Sequence, residues 1–114
     1  ATRIIDGHIE NSILAAGTVV NGASIKNSIV RSEVFLEEGA ELEDCIIMDY
    51  VRIKRGARLC RVIVDRYNSI SPHANIGFDP DQDRLQYKIS PSGLVVVSSG
   101  LPGRRTNSFA GGYI

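Results

Sequence analysis

The chain has 114 residues, a formal net charge of zero, 43% hydrophobic residue types and only 6% aromatic ones. That length makes one domain, and the neutral balance argues against a nucleic-acid binder, whose phosphate contacts need an excess of Lys and Arg. No run approaches the roughly 18 apolar residues of a membrane span and no charged-then-apolar leader precedes Ile4, so a soluble, cytoplasmic chain is expected.

From the N-terminus, Ile9 stands sixteen residues before Ile25, IENSI matches IKNSI, and Gly22-Ala23 matches Gly39-Ala40. The opening stretch therefore reads as a coil of a repeat that has lost one residue near Ala15 to Thr18, with Ile9, Leu14 and Val19 as its interior set. Ile4 begins a partial coil before it. An exposed solenoid end resembles an edge strand and needs a cap, and no amphipathic element precedes the first coil. The expectation is a piece of something larger, roofed at this end by another domain.

From Ile25 to Ile76 the chain repeats every seventeen residues: IKNSIVRSEVFLEEGAE, LEDCIIMDYVRIKRGAR, LCRVIVDRYNSISPHAN. Ile25, Leu42, Leu59 and Ile76 share one phase, and within the units the large aliphatics recur at steps of five or six: Ile25, Val30, Leu36; Leu42, Ile47, Ile53; Leu59, Val64, Ile70. A helix needs steps of three and four, and a half-buried strand steps of two. A step near six, three times per unit, predicts a chain that turns a corner after every short strand: a triangular β-solenoid. Ala40, Ala57 and Ala74, four positions after the third aliphatic, suit the crowded interior beside a corner. Ile29, Ile46 and Ile63, four after the first, are read as part of the same second interior set. Gly39 and Gly56 sit where a tight bend favours positive φ.

Six basic residues, Arg52, Lys54, Arg55, Arg58, Arg61 and Arg66, fall within fifteen positions. Alone they suggest an anion patch. Seventeen residues before the last five, however, lie Glu37, Glu38, Glu41, Asp44 and Asp49, so an intercoil charge ladder is the competing reading. Cys45 and Cys60 are fifteen apart in a seventeen-residue repeat, wrongly spaced for a CxxC metal site and offset from each other, so free thiols are expected. His8 precedes a coil's first aliphatic, and His73 replaces the corner glycine; both read as corner residues.

After Ile76 the period fails. Asp79 with Pro80 predicts a helix N-cap and first turn, the helix ending by about Tyr87 before Pro91 and Gly93. Phe78, Leu85 and Tyr87 are expected to pack as a lid, and Leu94 to Val97 as a strand closing the last coil. The domain divides into coils at 1–77, a capping helix and strand at 78–99, and a flexible tail at 100–114.

The run from Ile63 to Val97 resembles the C-terminal end of bacterial ADP-glucose pyrophosphorylase, also called glucose-1-phosphate adenylyltransferase. The matching motifs are the IVDR turn at Ile63 to Arg66, the IG-then-acidic segment at Ile76 to Arg84, and SPSGLVVV at Ser90 to Val97; the upstream NSI and EDCII segments extend the resemblance back to about Ile9. It implies a left-handed parallel β-helix of four to five coils, a handedness that periodicity does not show. It also implies a two-domain parent enzyme that uses Mg and ATP to convert glucose 1-phosphate into ADP-glucose and pyrophosphate. The chemistry would reside in an N-terminal nucleotidyltransferase domain whose Gly-rich loop has no counterpart in this sequence. No cofactor and no catalytic residue are then expected in this chain. The β-helix would pack on that domain, help build a homotetramer and contribute to a site for phosphorylated effectors. By motif position Arg66 matches a basic residue tied to effector binding, with Arg52 as its companion. Where the family carries a further Lys or Arg after the final strand, Ser98 and Ser99 stand.

Two other functions compete. A stand-alone trimeric hexapeptide acyltransferase would need a histidine base facing an acyl-CoA groove, and His73 is the candidate. A purely structural solenoid would bind no ligand at all.

Overall fold

The computed structural model describes residues 2–99, so the tail expected at 100–114 lies outside the described residues. Within them the chain winds as a parallel β-solenoid of about four turns. Each turn contributes one short strand to each of three faces.

The first face stacks the second half of β3 (Val19–Lys26) with β6 (Glu41–Glu43), β9 (Arg58–Cys60) and β12 (Asn75–Ile76). In it Ile25 lies opposite Leu42, Leu42 opposite Leu59 and Leu59 opposite Ile76. The second face stacks β2 (Ile13–Leu14), β4 (Ile29–Val30), β7 (Ile46–Ile47) and β10 (Val62–Val64). The third stacks the start of β3 with β5 (Phe35–Leu36), β8 (Arg52–Ile53) and β11 (Ser69–Ile70). A strand before them, β1 (Arg3–Glu10), lies along the whole of β3, with Ile9 opposite Ile25 and Ile4 opposite Val20. It supplies the partial coil expected at Ile4.

The nine aliphatics from Ile25 to Ile70 that the spacing placed inside are buried, in company with Val34, Val51 and the alanines at 23, 40 and 57. Each fully buried aliphatic contributes about 1.5 to 3 kcal/mol, which makes these columns the main stabilising term. Two readings of the interior fail. Ile29, Ile46 and Ile63 point outward, because their immediate neighbours Val30, Ile47 and Val64 point in and successive strand residues alternate. In the first coil Val20, not Val19, faces the core, opposite Leu36. Val20 stands sixteen before Leu36 and Gly22 seventeen before Gly39, so the missing residue belongs to the Asn21 corner and not to Ala15–Thr18. β3 runs unbroken through that shortened corner.

Three columns of left-handed residues turn the chain: Asn11, Asn27, Asp44 and Arg61; Gly17, Glu33, Tyr50 and Tyr67; Gly22, Gly39, Gly56 and His73. The first column is braced from inside. Ser12 Oγ accepts from Ser28 N at 3.0 Å, Ser28 Oγ accepts from Cys45 N at 3.1 Å, and Cys45 Sγ donates to the Glu43 carbonyl at 3.3 Å. Corner amides that face the interior thus find acceptors where no water reaches.

The exit follows the expected plan with one change of side chains. Asp79 Oδ1 accepts from Asp81 N and Gln82 N at 3.1 and 3.4 Å, capping α1 (Pro80–Arg84). β14 (Val95–Val97) adds in parallel to β10, and β13 (Lys88–Ile89) pairs antiparallel with β14. The lid, however, is not Phe78, Leu85 and Tyr87: Leu85 and Phe78 are exposed, whereas Asp83 is buried and Tyr87 packs on the core. Residues four apart share a helix face, so when Asp83 turns inward to accept the Gly77 N–H at 3.0 Å, Tyr87 follows it and Leu85 points away.

Gly77, at φ 94°, is the position where a side chain has no room: a Cβ would overlap the Cys60 carbonyl oxygen. At Gly39 (φ 79°) the nearest atom to such a Cβ is Gly56 N at 3.6 Å. A left-handed non-glycine residue costs roughly 1 to 2 kcal/mol on backbone grounds alone. Gly39→Ala should therefore cost about that much in chemical denaturation, and Gly77→Ala about twice as much or more. Equal losses would remove the steric role assigned to Gly77.

Candidate functional site

The effector-site residues expected from the sequence, Arg66 and Arg52, flank one column of corners. Arg66 comes immediately before the left-handed Tyr67, and Arg52 two residues after the left-handed Tyr50 one coil below. The Arg52 N–H donates to the Asn68 carbonyl at 3.0 Å, joining the two coils on that side. Asn68 Nδ2 donates to the carbonyls of Asp65 at 2.9 Å and Ser98 at 2.7 Å, which ties the Arg66 corner to the end of the last strand.

The charge ladder is realised at one rung. Arg58 Nε lies 3.5 Å from Glu41 Oε1, the pair expected from the repeat. Elsewhere the seventeen-residue register holds for the backbone but not for the charges. Glu37 takes Arg52 at 3.3 Å and the Arg55 backbone N–H at 3.0 Å, in place of Lys54. Arg61 Nη2 donates to the Ser92 carbonyl at 2.8 Å, in place of Asp44. Asp49, expected beneath Arg66, instead holds Arg31 Nε and Ser32 N, each at 3.2 Å. Long side chains at corners reach diagonally and carboxylates there satisfy backbone N–H groups first, so register alone does not assign partners. Arg66 is consequently exposed and makes no ion pair among the described residues. Arg52 is committed twice, to Glu37 and, at 4.6 Å, to the face of the Phe35 ring.

Sequence reasoning missed the aromatic pair between the two arginines. Tyr50 and Tyr67 occupy one phase of the repeat, and their rings stack at 5.2 Å and 7°. They remain 53% and 45% exposed. Two left-handed tyrosines cost roughly 2 to 4 kcal/mol, and a stacked pair returns about 0.5 to 1.5 kcal/mol. The signal in the sequence was a pair of identical residues seventeen apart.

Two further features belong to the surface. A groove of about 780 Å³ opens between the last coil and α1, floored by Ile70, Ile76 and Val97 and edged by Asn68, Gln82 and Tyr87. Burial first, and then the Asp83 charge, push the Tyr87 phenol up. On the second face Ile13, Ile29 and Ile46 form an outward column 65%, 43% and 36% exposed, continued by half-buried Ile63 and Val96. At comparable positions the first face shows Glu41 and Arg58, and the third shows Val19, Phe35, Arg52 and Ser69. One face of three is thus aliphatic outside as well as inside.

Of the two histidines, His8 lies within strand β1 and not at a corner as expected, 3.4 Å from Glu10, whereas His73, the candidate base, covers Gly56 at its corner, its backbone N–H donating to the Arg55 carbonyl at 2.9 Å. Among the described residues no three His, Cys, Asp or Glu side chains converge as metal ligands, and no helix is long and apolar enough to cross a membrane. Both cysteines are free.

Three faces of short parallel strands, left-handed corners and stacked inward aliphatics define a hexapeptide-repeat solenoid. Residues 2–97 match the family described as GlmU-like, C-terminal hexapeptide, and the chain belongs to that family. It is similar to the glucose-1-phosphate adenylyltransferase of Thermodesulfovibrio yellowstonii, 43% identical over 95 residues that make up 83% of this chain and 23% of that protein. Glucose-1-phosphate adenylyltransferase 2 of Vibrio cholerae is 37% identical over 81% of this chain and 23% of its own length. The Dechloromonas aromatica enzyme of the same name is 34% identical over 86% and 22%. The chain thus spans under a quarter of these relatives, corresponding to their C-terminal part.

The thiols offer no ready nucleophile. Desolvation raises the Cys45 thiol to about 11 from the ordinary 9.0, and burial followed by the charges of Glu43 and Asp44 raises Cys60. A thiol whose folded pKa exceeds its unfolded one holds its proton more tightly in the fold. Its contribution to stability is therefore whole below pH about 9 and falls as pH rises towards about 11. Thermal melts at pH 8 and pH 10.5 should show a loss at the higher pH that is smaller in Cys45→Ala. Native-state alkylation at pH 8 should modify Cys60 well before Cys45; the reverse order would contradict the burial assigned to them.

Proposed function

We propose that the chain is the non-catalytic regulatory and oligomerisation domain of a glucose-1-phosphate adenylyltransferase. In this reading the parent enzyme is cytoplasmic and joins ATP and glucose 1-phosphate into ADP-glucose and pyrophosphate. ATP and Mg are handled by an N-terminal nucleotidyltransferase domain, and the solenoid packs against that domain and helps to assemble a homotetramer. The observation that carries it is the outward isoleucine column on the second face. An aliphatic patch of that kind marks an interaction site, and here it runs from Ile13 to Val96, whereas the first face shows Glu41 and Arg58 and the third passes from Val19 and Phe35 to Arg52 and Ser69. The alignment with the C-terminal part of the adenylyltransferases supports the remainder of those enzymes as its occupant.

The test is a chimera in which residues 2–97 replace the aligned segment of the Thermodesulfovibrio yellowstonii enzyme. The chimera should assemble and form ADP-glucose. Ile29→Asp with Ile46→Asp should lower its melting temperature and break up the oligomer. The same pair should lower the melt of the isolated chain by less, because there it loses only partly buried side chains and sets two carboxylates side by side. An unaffected chimera would overturn the docking role.

The regulatory half of the proposal rests on Arg66, with Arg52 as a secondary contact. An arginine free of carboxylate partners offers its planar fork to a phosphate. Fructose 1,6-bisphosphate binding, followed by calorimetry, should weaken about tenfold or more in Arg66→Ala, the usual scale of a lost charge-assisted contact. It should weaken less in Arg52→Ala, whose guanidinium already has Glu37 and Phe35. Unchanged binding in Arg66→Ala would remove that residue from the site.

A further inference from the structure

Each coil is tied to the next through a fixed set of N–H groups. On the third face Phe35 N–H donates to the Val51 carbonyl at 2.9 Å and Arg52 N–H to Asn68 at 3.0 Å; just past the strands, Glu37 donates to Ile53 at 2.9 Å and Lys54 to Ile70 at 3.1 Å. On the first face Glu41 donates to Ala57 at 2.8 Å and Arg58 to Ala74 at 2.7 Å. One coil on, the same phases fall on Ser69, Ser71 and Asn75, and there β11 and β12 are the two ends of their sheet. Among the described residues these three N–H groups have no acceptor. All three residues line the groove between the last coil and α1. The helix side of the groove is unsatisfied as well. Asp83, only 4% exposed, gives Oδ2 to the Gly77 N–H, and its Oδ1 has no donor among the described residues. A buried polar atom left unpaired is costly, so this one calls for a donor from outside the chain. Beside it the exposed amides of Gln82 and Gln86 make no side-chain hydrogen bond among the described residues. The other charges at the groove are committed: Arg58 to Glu41 at 3.5 Å and to the Phe78 ring at 4.7 Å, and Asp79 to the first N–H groups of α1.

We propose that the groove between the last coil and α1 is a binding site for a neutral saccharide. The free Asp83 oxygen repels an anion and the N–H donors opposite repel a cation, so the matching ligand is uncharged. An extended peptide would need a straight run of strand edge to pair with, but β11 and β12 hold two residues each and a corner separates them. Hydroxyl groups both donate and accept, and those of a sugar are spread around a ring, so they meet protein groups that diverge around a corner. The C–H face of such a ring suits the half-exposed Phe78 and the partly buried Tyr87 that flank the groove. A volume of about 780 Å³ is that of a small-molecule site. The inference is independent of the effector reading of Arg66 and of the docking role of the isoleucine column.

The test titrates the 114-residue chain, by calorimetry, with maltotriose and cellotriose, glucose trimers of opposite anomeric linkage, and with an N-acetylated, C-amidated peptide of valine and threonine. Two variants accompany it. Asp83→Asn keeps an oxygen for the Gly77 N–H and places an amide nitrogen where the free carboxylate oxygen stood. Gln82→Ala with Gln86→Ala trims only exposed side chains, so its melting temperature should hold. At least one trisaccharide should bind and shift the backbone amide resonances of Ser69, Ser71 and Asn75. Its affinity should fall about tenfold or more in Asp83→Asn, which loses a charged acceptor, and about fivefold or more in the double variant. Binding of neither trisaccharide, an affinity that the double variant leaves unchanged, or binding of the peptide alone would overturn the proposal.

Discussion

Everything in this molecule depends on one repeated contact: an aliphatic side chain set directly on the aliphatic side chain of the coil before it. The column Ile9, Ile25, Leu42, Leu59, Ile76 is one example, and its members are also backbone partners in a parallel ladder. A strand of two or three residues holds too few hydrogen bonds to stand alone. It persists because the coils on either side satisfy its amides while the column removes its inward side chain from water. Length enters only through the number of layers, so the two end coils are the vulnerable ones. At the C-terminal end β14 and β13 cover one face, whereas β11 and β12 remain edge strands beside the groove under α1.

The corners are the second constraint. Each face change needs a residue at positive φ, and the fold answers with whichever local solution the coil permits: glycine, a short polar side chain, or a larger one with something to rest on. The interior Ser12, Ser28, Cys45 series follows the same logic, a small donor–acceptor at each layer meeting the amide of the next. At Tyr50 and Tyr67 the thing to rest on is the other ring, stacked one coil away.

The surface then divides by face. Charged residues occupy two sides, but only Arg58 with Glu41 forms the rung that the repeat suggests. Exposed pairs of this kind are worth about 0 to 1 kcal/mol each, too little to direct long side chains that have backbone N–H groups, carbonyls and rings within reach. The second face instead presents the outward column of Ile13, Ile29, Ile46, Ile63 and Val96. The chain belongs to the GlmU-like C-terminal hexapeptide family and aligns with the C-terminal part of glucose-1-phosphate adenylyltransferases.

The architecture was legible in the sequence itself. A seventeen-residue period with inward aliphatics at Ile25, Val30 and Leu36 admits no other regular chain path, and Asp79-Pro80 marked the helix start, because backbone period and capping are local properties. Three things were decided only in three dimensions. Whether Ile29 or Val30 faces inward is set by where the corner falls, so the outward column was misread; the one-residue shift from Val19 to Val20 has the same cause. Charge partners, such as Asp49 with Arg31 and not Arg66, depend on diagonal reach across coils that no offset encodes. And the lid formed around Asp83 because the orphaned Gly77 N–H needed an acceptor, a demand created by the fold and invisible to hydrophobicity.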